Sequence, residues 1–310
     1  MTDLTTRSGA PLSRLTFGTM QFGGKADQAE SAAMFGAAHA GGINHFDTAY
    51  VYTEGASETI LGALIKAARE DIYLATKAGY TNGATRAMIL EHFDISRKRM
   101  NEDAVDLLYM HRFDDDTPLE ETFTTLAELQ SQGLIRHIGV SNYAAWQVMK
   151  AQAVAKSLGT RIDVIQPMYS LVKRQSEVEL FPMAADQGIT VVPYSPLGGG
   201  LLTGKYAQGQ TGRLTEDTRY RARYDQAWMH DTAGKLAELA ASIGVTAATL
   251  AVAWAAHHAV KPLPIISARS ADQLRPSLDA VSFEMNAALY AQISALGITP
   301  APATDRLEEQ

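Results

Sequence analysis

The chain has 310 residues, of which 46% are hydrophobic and 20% charged, and this balance provides enough apolar chain for one large core or two small ones. A formal charge of −7, with both signs scattered along the sequence, argues against a nucleic-acid partner, because such proteins usually present a basic face. The absence of cysteine excludes disulfides and thiolate metal sites.

The apolar segments of the chain do not indicate a membrane protein. The N-terminal stretch 1–14 is polar and lacks the apolar core of a secretion signal, so we expect a cytoplasmic location. The longest apolar segment, residues 247–260, contains His257 and His258 and stops at Lys261. It is too short and too polar to span a bilayer, and we expect no membrane partner.

Strand-like and helix-like runs alternate along the chain. The strand candidates are residues 15–19, 43–46, 72–76, 105–110, 135–140, 164–167, 190–193 and 263–266. The helix candidates between them are residues 28–40, 57–68, 85–100, 119–132, 144–157, 175–187, 246–258 and 271–281. Two further helices are predicted at 231–243 and 286–296, and the Arg- and Gly-rich segment 198–228 is predicted as a long lid or substrate loop.

This alternation predicts an α/β fold with parallel strands and crossover helices, and eight strands is the number that closes a (β/α)8 TIM barrel. A doubly wound dinucleotide-binding sheet also alternates in this way, but it usually carries Gly-x-Gly-x-x-Gly after its first strand. Gly18 and Gly23 have the wrong spacing for that motif. We therefore expect a single barrel domain over residues 1–310, with a core at about 15–281 and a C-terminal helix and tail at 286–310.

Four polar residues lie just past the ends of three successive apolar runs. Asp47 and Tyr52 follow the second strand candidate, Lys77 closes the third, and His111 closes the fourth. The carboxyl ends of parallel barrel strands meet at one rim, where functional groups gather. The sequence therefore predicts that these four side chains share one site.

Together the four side chains suit the reduction of a carbonyl group. Reduction by a nicotinamide needs a hydride on carbon and a proton on oxygen, and a phenol of pKa about 10 is a reluctant proton donor or acceptor at neutral pH. A nearby Lys77 ammonium would lower the pKa of Tyr52, and Asp47 would hold that lysine in place. His111 could orient the carbonyl oxygen by a hydrogen bond.

A metal-dependent barrel hydrolase is the alternative considered for His45 and Asp47. That chemistry requires several converging ligands, and the sequence contains neither His-x-His nor His-Glu-x-x-His. We therefore expect no metal site, and we interpret His45 and His137 as buried or hydrogen-bonded structural residues. Tyr220 and Trp228 are candidate walls of the substrate pocket, with local packing as the alternative.

The chain resembles the aldo-keto reductase superfamily from about residue 15 to residue 278. The Asp-Tyr-Lys-His order and spacing are similar to its catalytic tetrad, and residues 133–142 (GLIRHIGVSN) resemble its central signature. Segment 194–206 (YSPLGGGLLTGKY) most resembles the branch that includes bacterial reductases and potassium-channel β-subunits. Two functions follow as expectations: a carbonyl reductase acting on a small carbonyl or alcohol, and a cofactor-sensing regulatory subunit.

The resemblance also implies a nicotinamide cofactor site. The residues that it places against the cofactor are Thr19, Met20, Asp47, Ser141, Asn142, Gln166, Tyr194, Ser195, Pro196, Leu197, Gly199, Lys205, Ser267, Arg269 and Gln273. Asn142 and Gln166 would hold the carboxamide with Ser141, and the Tyr194 ring would stack on the nicotinamide. A guanidinium at Arg269 suits a 2′-phosphate, which favours NADP over NAD.

The chain departs from the family pattern at several positions. Many relatives carry Glu-Asn where this chain has Pro276 and Ser277, so NAD remains an alternative cofactor. Channel subunits tend to carry asparagine at the position of His111, and the histidine here favours working catalysis. Tyr50 stands where aspartate is commoner. The natural substrate, the direction of the reaction and the oligomeric state do not follow from the sequence.

Overall fold

A computed structural model describes residues 4–309. Residues 1–3 of the predicted N-terminal stretch and residue 310 of the predicted C-terminal tail lie outside the described residues. Its eight strands are all parallel to their neighbours, in the order β7-β6-β5-β4-β3-β2-β1-β8. They are β1 Thr16–Gly18, β2 His45–Asp47, β3 Tyr73–Ala78, β4 Val105–Met110, β5 Ile135–Ser141, β6 Val164–Gln166, β7 Thr190–Val191 and β8 Ile265–Ile266. The Leu263 N–H donates to Val191 O at 2.8 Å and the Ile265 N–H donates to Pro193 O at 2.8 Å, which closes the circle. The predicted (β/α)8 barrel is confirmed.

Helices cover the outside of the barrel. They are α1 Gln28–Ala40, α2 Ala56–Ile65, α3 Arg86–Met100, α4 Leu119–Ser131, α5 Ala145–Ser157, α6 Leu180–Gln187, α7 Arg213–Glu216, α8 Thr218–Tyr224, α9 Ala227–Ser242, α10 Ala247–His257, α11 Ala271–Leu278 and α12 Ala287–Ser294. The helix predicted at 175–187 begins only at Leu180, after a 3-10 turn at Gln175–Glu177. Pro182 lies in the first turn of α6, where its missing N–H costs nothing.

The segment predicted as a long loop, 198–228, is not free of helices. It contains 3-10 turns at Gly198–Thr203 and Lys205–Gln208 and then α7 and α8, and the Asp217 carboxylate caps α8 by accepting from the Arg219 N–H. Leu214 and Tyr224 anchor the segment in the hydrophobic core. The prediction missed these helices because they are only four and seven residues long, too short for a periodic pattern.

Helix α10 is buried on nearly every side, from Ala247 to Ala256. An apolar helix of this kind belongs to a core, and Trp254 in its centre donates from Nε1 to Ser294 Oγ of α12 at 2.8 Å. Within residues 4–309, no helix taken singly has the length and apolar character needed to cross a membrane. Helices α9 and α10 reach the required length and apolar character only when taken together, and the chain bends by 102° between them.

The interior of the barrel is filled with side chains. The buried cluster inside consists of Leu4, Tyr73, Ala75, Leu107, Tyr109, Val164, Val192 and Ile265. Gly139 on β5 makes room for the Tyr109 ring, since a Cβ at that position would lie 2.4 Å from Tyr109 Cδ1. The barrel is therefore a packed core, and the site lies on its rim.

Candidate active site

The carboxyl-end rim brings the four predicted residues together around Lys77. The Lys77 ammonium donates one hydrogen bond to Asp47 Oδ1, a second to Thr48 O at 2.7 Å, and a third to Tyr52 Oη at 3.3 Å. The other oxygen of Asp47 accepts from Gln166 Nε2 at 2.9 Å. All three ammonium hydrogens are thus used, and the amine is fixed beside the phenol.

Burial dominates the acid–base properties of this cluster. It raises the pKa of Asp47, which Lys77 and Gln166 only partly offset. Burial alone would lower the pKa of Lys77, but Asp47 and Tyr52 outweigh it and raise that pKa. Lys77 lowers the pKa of Tyr52, as expected, but burial has the larger and opposite effect, so the pKa of the phenol lies above its ordinary value. At neutral pH Tyr52 therefore carries its proton, as a proton donor should.

His111 completes the cluster from the end of β4. Its ring centroid lies 5.9 Å from that of Tyr52, with the rings nearly perpendicular. Burial, Lys77 and Arg112 hold the pKa of His111 well below its usual value, so the imidazole is neutral at pH 7. Its buried Nδ1 has no hydrogen-bond partner within residues 4–309. A neutral imidazole beside a phenol can donate a hydrogen bond to a carbonyl oxygen.

The unusual Tyr50 has a structural explanation. Its ring stacks on His92 of α3 with centroids 4.1 Å apart, and the Arg99 guanidinium lies 4.8 Å from the Tyr50 ring centre. Arg99 also donates to Tyr50 O at 2.8 Å and to the buried Glu58 carboxylate at 3.0 Å. These contacts link the loop that contains Tyr50 and Tyr52 to α3 and, through Arg99, to α2.

The residues expected to hold the nicotinamide lie beside the cluster. Asn142 donates from Nδ2 to His111 O at 2.9 Å, and its Oδ1 accepts from Tyr194 Oη at 2.7 Å. Ser141 Oγ donates to Gln166 O at 2.9 Å. Asn142 takes a left-handed backbone with φ 58°, which turns its amide across the rim. These four polar residues form one hydrogen-bonded group that borders His111.

Thr19 and Met20 occupy the same side of the rim, after β1. Thr19 Oγ1 donates to Asp47 O at 3.1 Å and is also 2.8 Å from Ser57 Oγ, so its hydroxyl supports the β2 end. Met20 is partly buried, and Pro196 is buried beside the partly exposed Leu197. Thr19 and Met20 thus follow β1, and Pro196 and Leu197 follow β7, so both pairs come after the carboxyl ends of their strands.

The expected phosphate-binding segment has the backbone for that role. Ser195 has φ 62°, and Gly198, Gly199 and Gly200 have φ 56°, 67° and 94°. A Cβ at Gly199 would lie 2.9 Å from Tyr220 Cδ1, so the Tyr220 ring packs directly on the backbone there. Successive N–H groups in such turns form concave anion sites.

Basic residues and an unsatisfied hydroxyl lie at the expected adenosine end. Burial and the charges of Arg269 and Arg213 lower the pKa of Lys205, as expected where cations gather. Ser267 Oγ is buried without a hydrogen-bond partner among residues 4–309. The donor set fits a group carrying a pyrophosphate and a further phosphate.

Two predicted contacts at that end have other partners. Arg269 is paired with Glu216 of α7, with the guanidinium 3.0 Å from the carboxylate. The Gln273 side chain accepts from the Arg269 N–H at 2.7 Å. Of the positions where relatives carry Glu-Asn, Ser277 is buried and Pro276 O accepts from Thr249 Oγ1 at 2.7 Å. A proline side chain has no hydrogen-bonding group and the Ser277 side chain is buried, so neither replaces the polar groups that Glu-Asn provides in relatives.

The two candidate pocket walls, Tyr220 and Trp228, have different surroundings. Tyr220 lies near the cluster, since burial, Asp47 and then Tyr220 raise the pKa of Tyr52. Trp228 instead donates to Gln226 Oε1 at 2.7 Å and packs on the core. The sequence reasoning missed Tyr80, whose ring centroid lies 4.8 Å from that of His111. The strand-end rule that found Lys77 could have found it, because Tyr80 follows β3.

The fold and the rim cluster define a (β/α)8 barrel protein with an acid–base site at the carboxyl ends of its strands. The chain matches the aldo/keto reductase family over residues 14–298. It is 33% identical to the uncharacterized oxidoreductase YrpG of Bacillus subtilis (strain 168), over 97% of each chain. It is 32% identical to a probable voltage-gated potassium channel subunit beta of Oryza sativa subsp. japonica, over 89% of each. It is 36% identical to the human aldo-keto reductase family 7 member A3, over 78% of each.

The chain belongs to the aldo/keto reductase family. The resemblance inferred from its motifs is confirmed, as is the kinship with both bacterial reductases and potassium-channel subunits. The family and these relatives make the chain an oxidoreductase, and members of the family use nicotinamide cofactors.

Proposed function

We propose that the chain is an NAD(P)H-dependent carbonyl reductase that reversibly converts an aldehyde or ketone to an alcohol. The observation that carries the proposal is the Lys77 ammonium, which bonds to both the Asp47 carboxylate and the Tyr52 hydroxyl. This arrangement stabilises the phenolate that proton donation leaves behind. The proposed substrate is a small carbonyl compound or alcohol, and the proposed unit is one barrel domain. The cytoplasmic location stays a prediction.

The proposed reduction moves one hydride and one proton. When bound, the nicotinamide cofactor supplies the hydride that forms the new C–H bond at the carbonyl carbon. Tyr52 Oη gives its proton to the carbonyl oxygen, and the phenolate that remains is held by Lys77 until solvent returns a proton. His111, neutral at pH 7, donates a hydrogen bond to the same oxygen. Asp47 keeps the lysine charged.

For the cofactor we propose NADP, with NAD possible. Ser141, Asn142 and Gln166 would hold the carboxamide, and Tyr194 would face the ring. The left-handed turn that begins at Ser195 would hold the pyrophosphate together with the Lys205 side chain. Ser267 and Arg269 would hold the adenosine end. Support for the phosphates comes from Lys205, since burial and then Arg269 and Arg213 lower its pKa although Glu216 partly offsets them, and an additional anion would relieve the remaining repulsion.

A cofactor-sensing regulatory subunit is the second candidate function. The favouring observation is the 32% identity to the probable potassium channel subunit beta of rice over 89% of both chains. The two functions differ in turnover, since the sensing function requires cofactor binding without appreciable reduction of an added carbonyl compound.

The test measures oxidation of NADPH by 4-nitrobenzaldehyde in the wild type and in Tyr52→Phe. We expect Tyr52→Phe to lower kcat by about 10² to 10⁴, the usual contribution of a general acid. Tyr290→Phe is the matched control, because it removes a phenolic hydroxyl from α12, where the ring packs against Trp254. NADPH binding with equally negligible turnover in the wild type and Tyr52→Phe would support the sensing function. Equal and substantial rates would exclude Tyr52 as the proton donor.

A further inference from the structure

The turn that follows Tyr52 has an uncommon backbone. Thr53 has φ 47° and ψ 42°, and Glu54 has φ 56° and ψ 26°, so two residues with side chains are left-handed in succession. Gly55 is left-handed as well, with φ 96°. Such a conformation persists only where surrounding groups hold it, and it tends to occur at functional sites.

The Thr53 side chain holds this turn from within. Its Oγ1 donates to Phe22 O at 2.7 Å and accepts from the Ser57 N–H at 3.0 Å. The Thr53 methyl group packs against the loop after β1, where a Cβ at Gly24 would lie 2.8 Å from Thr53 Cγ2. One hydroxyl thus joins the loops that follow β1 and β2.

The hydrogen bonds continue from this turn to the lysine. Ser57 Oγ lies 2.8 Å from Thr19 Oγ1 and 3.0 Å from Thr48 Oγ1, and it donates to Thr19 O at 2.8 Å. Thr48 in turn offers its carbonyl to the Lys77 ammonium at 2.7 Å. The residues that hold the Thr53 turn therefore also contact the segment that holds Lys77.

Arg99 closes the turn from the opposite side. A Cβ at Gly55 would lie 2.4 Å from Arg99 Cζ, so the guanidinium packs directly on the Gly55 backbone. The same guanidinium donates to Tyr50 O at 2.8 Å, two residues before Tyr52. The backbone around Tyr52 is thus fixed before and after the residue.

We propose that Thr53 is a positioning residue: through its hydrogen bonds to Phe22 O and the Ser57 N–H, it sets the approach of Tyr52 Oη to Lys77 Nζ. The inference rests on the proposed function, because it concerns the proton donor of that reaction. If the turn relaxes, Tyr52 moves away from the ammonium, which then stabilises the phenolate less. Alcohol oxidation needs that phenolate as a base, so its rate should reach half-maximum at a higher pH.

The first test compares Thr53→Val with Thr53→Ser. Valine keeps the branched shape but loses both hydrogen bonds, and we expect kcat to fall about 10- to 100-fold, as displacement of a catalytic group does. We also expect the pH midpoint of alcohol oxidation to rise by at least about half a unit. Serine keeps the hydroxyl and should restore both the rate and the midpoint. A purely structural role of Thr53 would lower stability without moving that midpoint.

Thr53→Gly tests the same hydrogen bonds if Thr53→Val does not fold. Glycine suits the left-handed backbone, so the turn forms without strain while the hydroxyl is absent. It should show the same loss of kcat and the same change of midpoint as Thr53→Val. Wild-type kcat and midpoint in both Thr53→Gly and folded Thr53→Val would overturn the proposal.

Glu54→Gly is the matched control within the turn. Glu54 is exposed, and its side chain makes no hydrogen bond or ion pair among residues 4–309. This variant should raise Tm slightly, because it removes a left-handed residue with a side chain, and leave kcat unchanged. An equal loss of kcat in Glu54→Gly and Thr53→Val would contradict a specific role of Thr53. If Tyr52→Phe is as active as the wild type, the proposed function itself fails, and this inference fails with it.

Discussion

Both ends of the barrel bury a carboxylate against a cation, but the two pairs are used differently. At the amino end, Asp106 is fully buried and accepts from the Leu74 N–H at 2.9 Å and from Arg136 at 2.8 Å, with Arg69 at 2.9 Å. These partners belong to the barrel strands and to the turn before β3. The amino-end carboxylate therefore connects parts of the framework, and its partner Arg136 also donates to Thr5 O of the N-terminal segment at 2.8 Å.

At the carboxyl end the pair is shared with a loop. Lys77 bonds to Asp47 within the barrel, but its other side-chain hydrogen bond is to Tyr52, which precedes a left-handed turn. The same kind of ion pair thus fixes the framework at one end and the proposed proton donor at the other. Loss of the first pair should therefore reduce stability, whereas loss of the second should reduce turnover.

The largest expected effect is on turnover at the carboxyl end. Lys77→Met removes the charge that stabilises the Tyr52 phenolate, and we expect kcat to fall by about 10² to 10⁴ in the NADPH assay. The double variant Lys77→Met/Asp47→Asn should regain stability, because no carboxylate is left buried without a cation, but it should not regain kcat. Lys235→Met, at an exposed ion pair, is the control. A kcat within tenfold of the wild type would contradict the assigned role.

The next effect is on stability at the amino end. Asp106→Asn leaves Arg69 and Arg136 without their buried carboxylate, and we expect the free energy of unfolding to fall by about 3 kcal/mol. Urea unfolding measures this loss, and kcat should change by less than a factor of about three, since Asp106 is far from the chemistry. Asp231→Asn breaks an exposed pair and should cost less than about 0.5 kcal/mol. A large loss of kcat in folded Asp106→Asn would remove the distinction between the two ends.

The third effect concerns pH. Burial lowers the pKa of His45 to about 3, so the folded protein resists its protonation while the unfolded chain accepts a proton near pH 6.5. This histidine therefore costs no stability above pH 6.5, and stability falls as the pH drops from there towards 3. Between pH 7 and pH 5, protonation of His45 in the unfolded chain lowers the free energy of unfolding by about 2 kcal/mol. In urea unfolding, His45→Gln should lose less stability than the wild type between pH 7 and pH 5. If the two proteins lose the same stability over this range, His45 is not the group responsible.

The smallest expected effect concerns cofactor choice. Arg269→Ala should reduce the preference for NADP over NAD by about tenfold, the value of one charge-assisted contact to a phosphate. Fluorescence titration with NADPH and NADH measures the ratio of the two Kd values. Arg86→Ala, whose guanidinium pairs with Glu128 on the outer surface, should leave that ratio unchanged. A tighter Kd for NADH in the wild type, with no change in Arg269→Ala, would reject the proposed NADP preference.

The barrel and the gathering of the cluster could be predicted because both follow from local patterns. Apolar runs of four to six residues mark buried strands, and the parallel arrangement brings the residues at their ends to one rim. Strand β4, Val105–Met110, has the predicted bounds, and helix α1, Gln28–Ala40, has them as well. The four polar residues needed only that topology to meet.

Features that depend on distant contacts could not be predicted. The pKa of Tyr52 lies above its ordinary value because burial outweighs Lys77, and the extent of burial is a property of the folded rim. Arg269 pairs with Glu216, which is 53 residues away in the sequence. The left-handed turn at Thr53 has no glycine at its first two positions to announce it. Each of these features requires knowledge of which segments pack together.

The close contact between Gly139 and Tyr109 means that the side-chain sizes at these two positions can be changed only together. A methyl group at Gly139 has no space while Tyr109 is present, since its carbon would overlap the ring at 2.4 Å. Any redesign that enlarges one position must shrink the other, or strands β4 and β5 will separate. Because His111 directly follows β4 and β5 ends at Ser141, such a separation would widen the mouth of the cylinder where substrate and cofactor are proposed to meet.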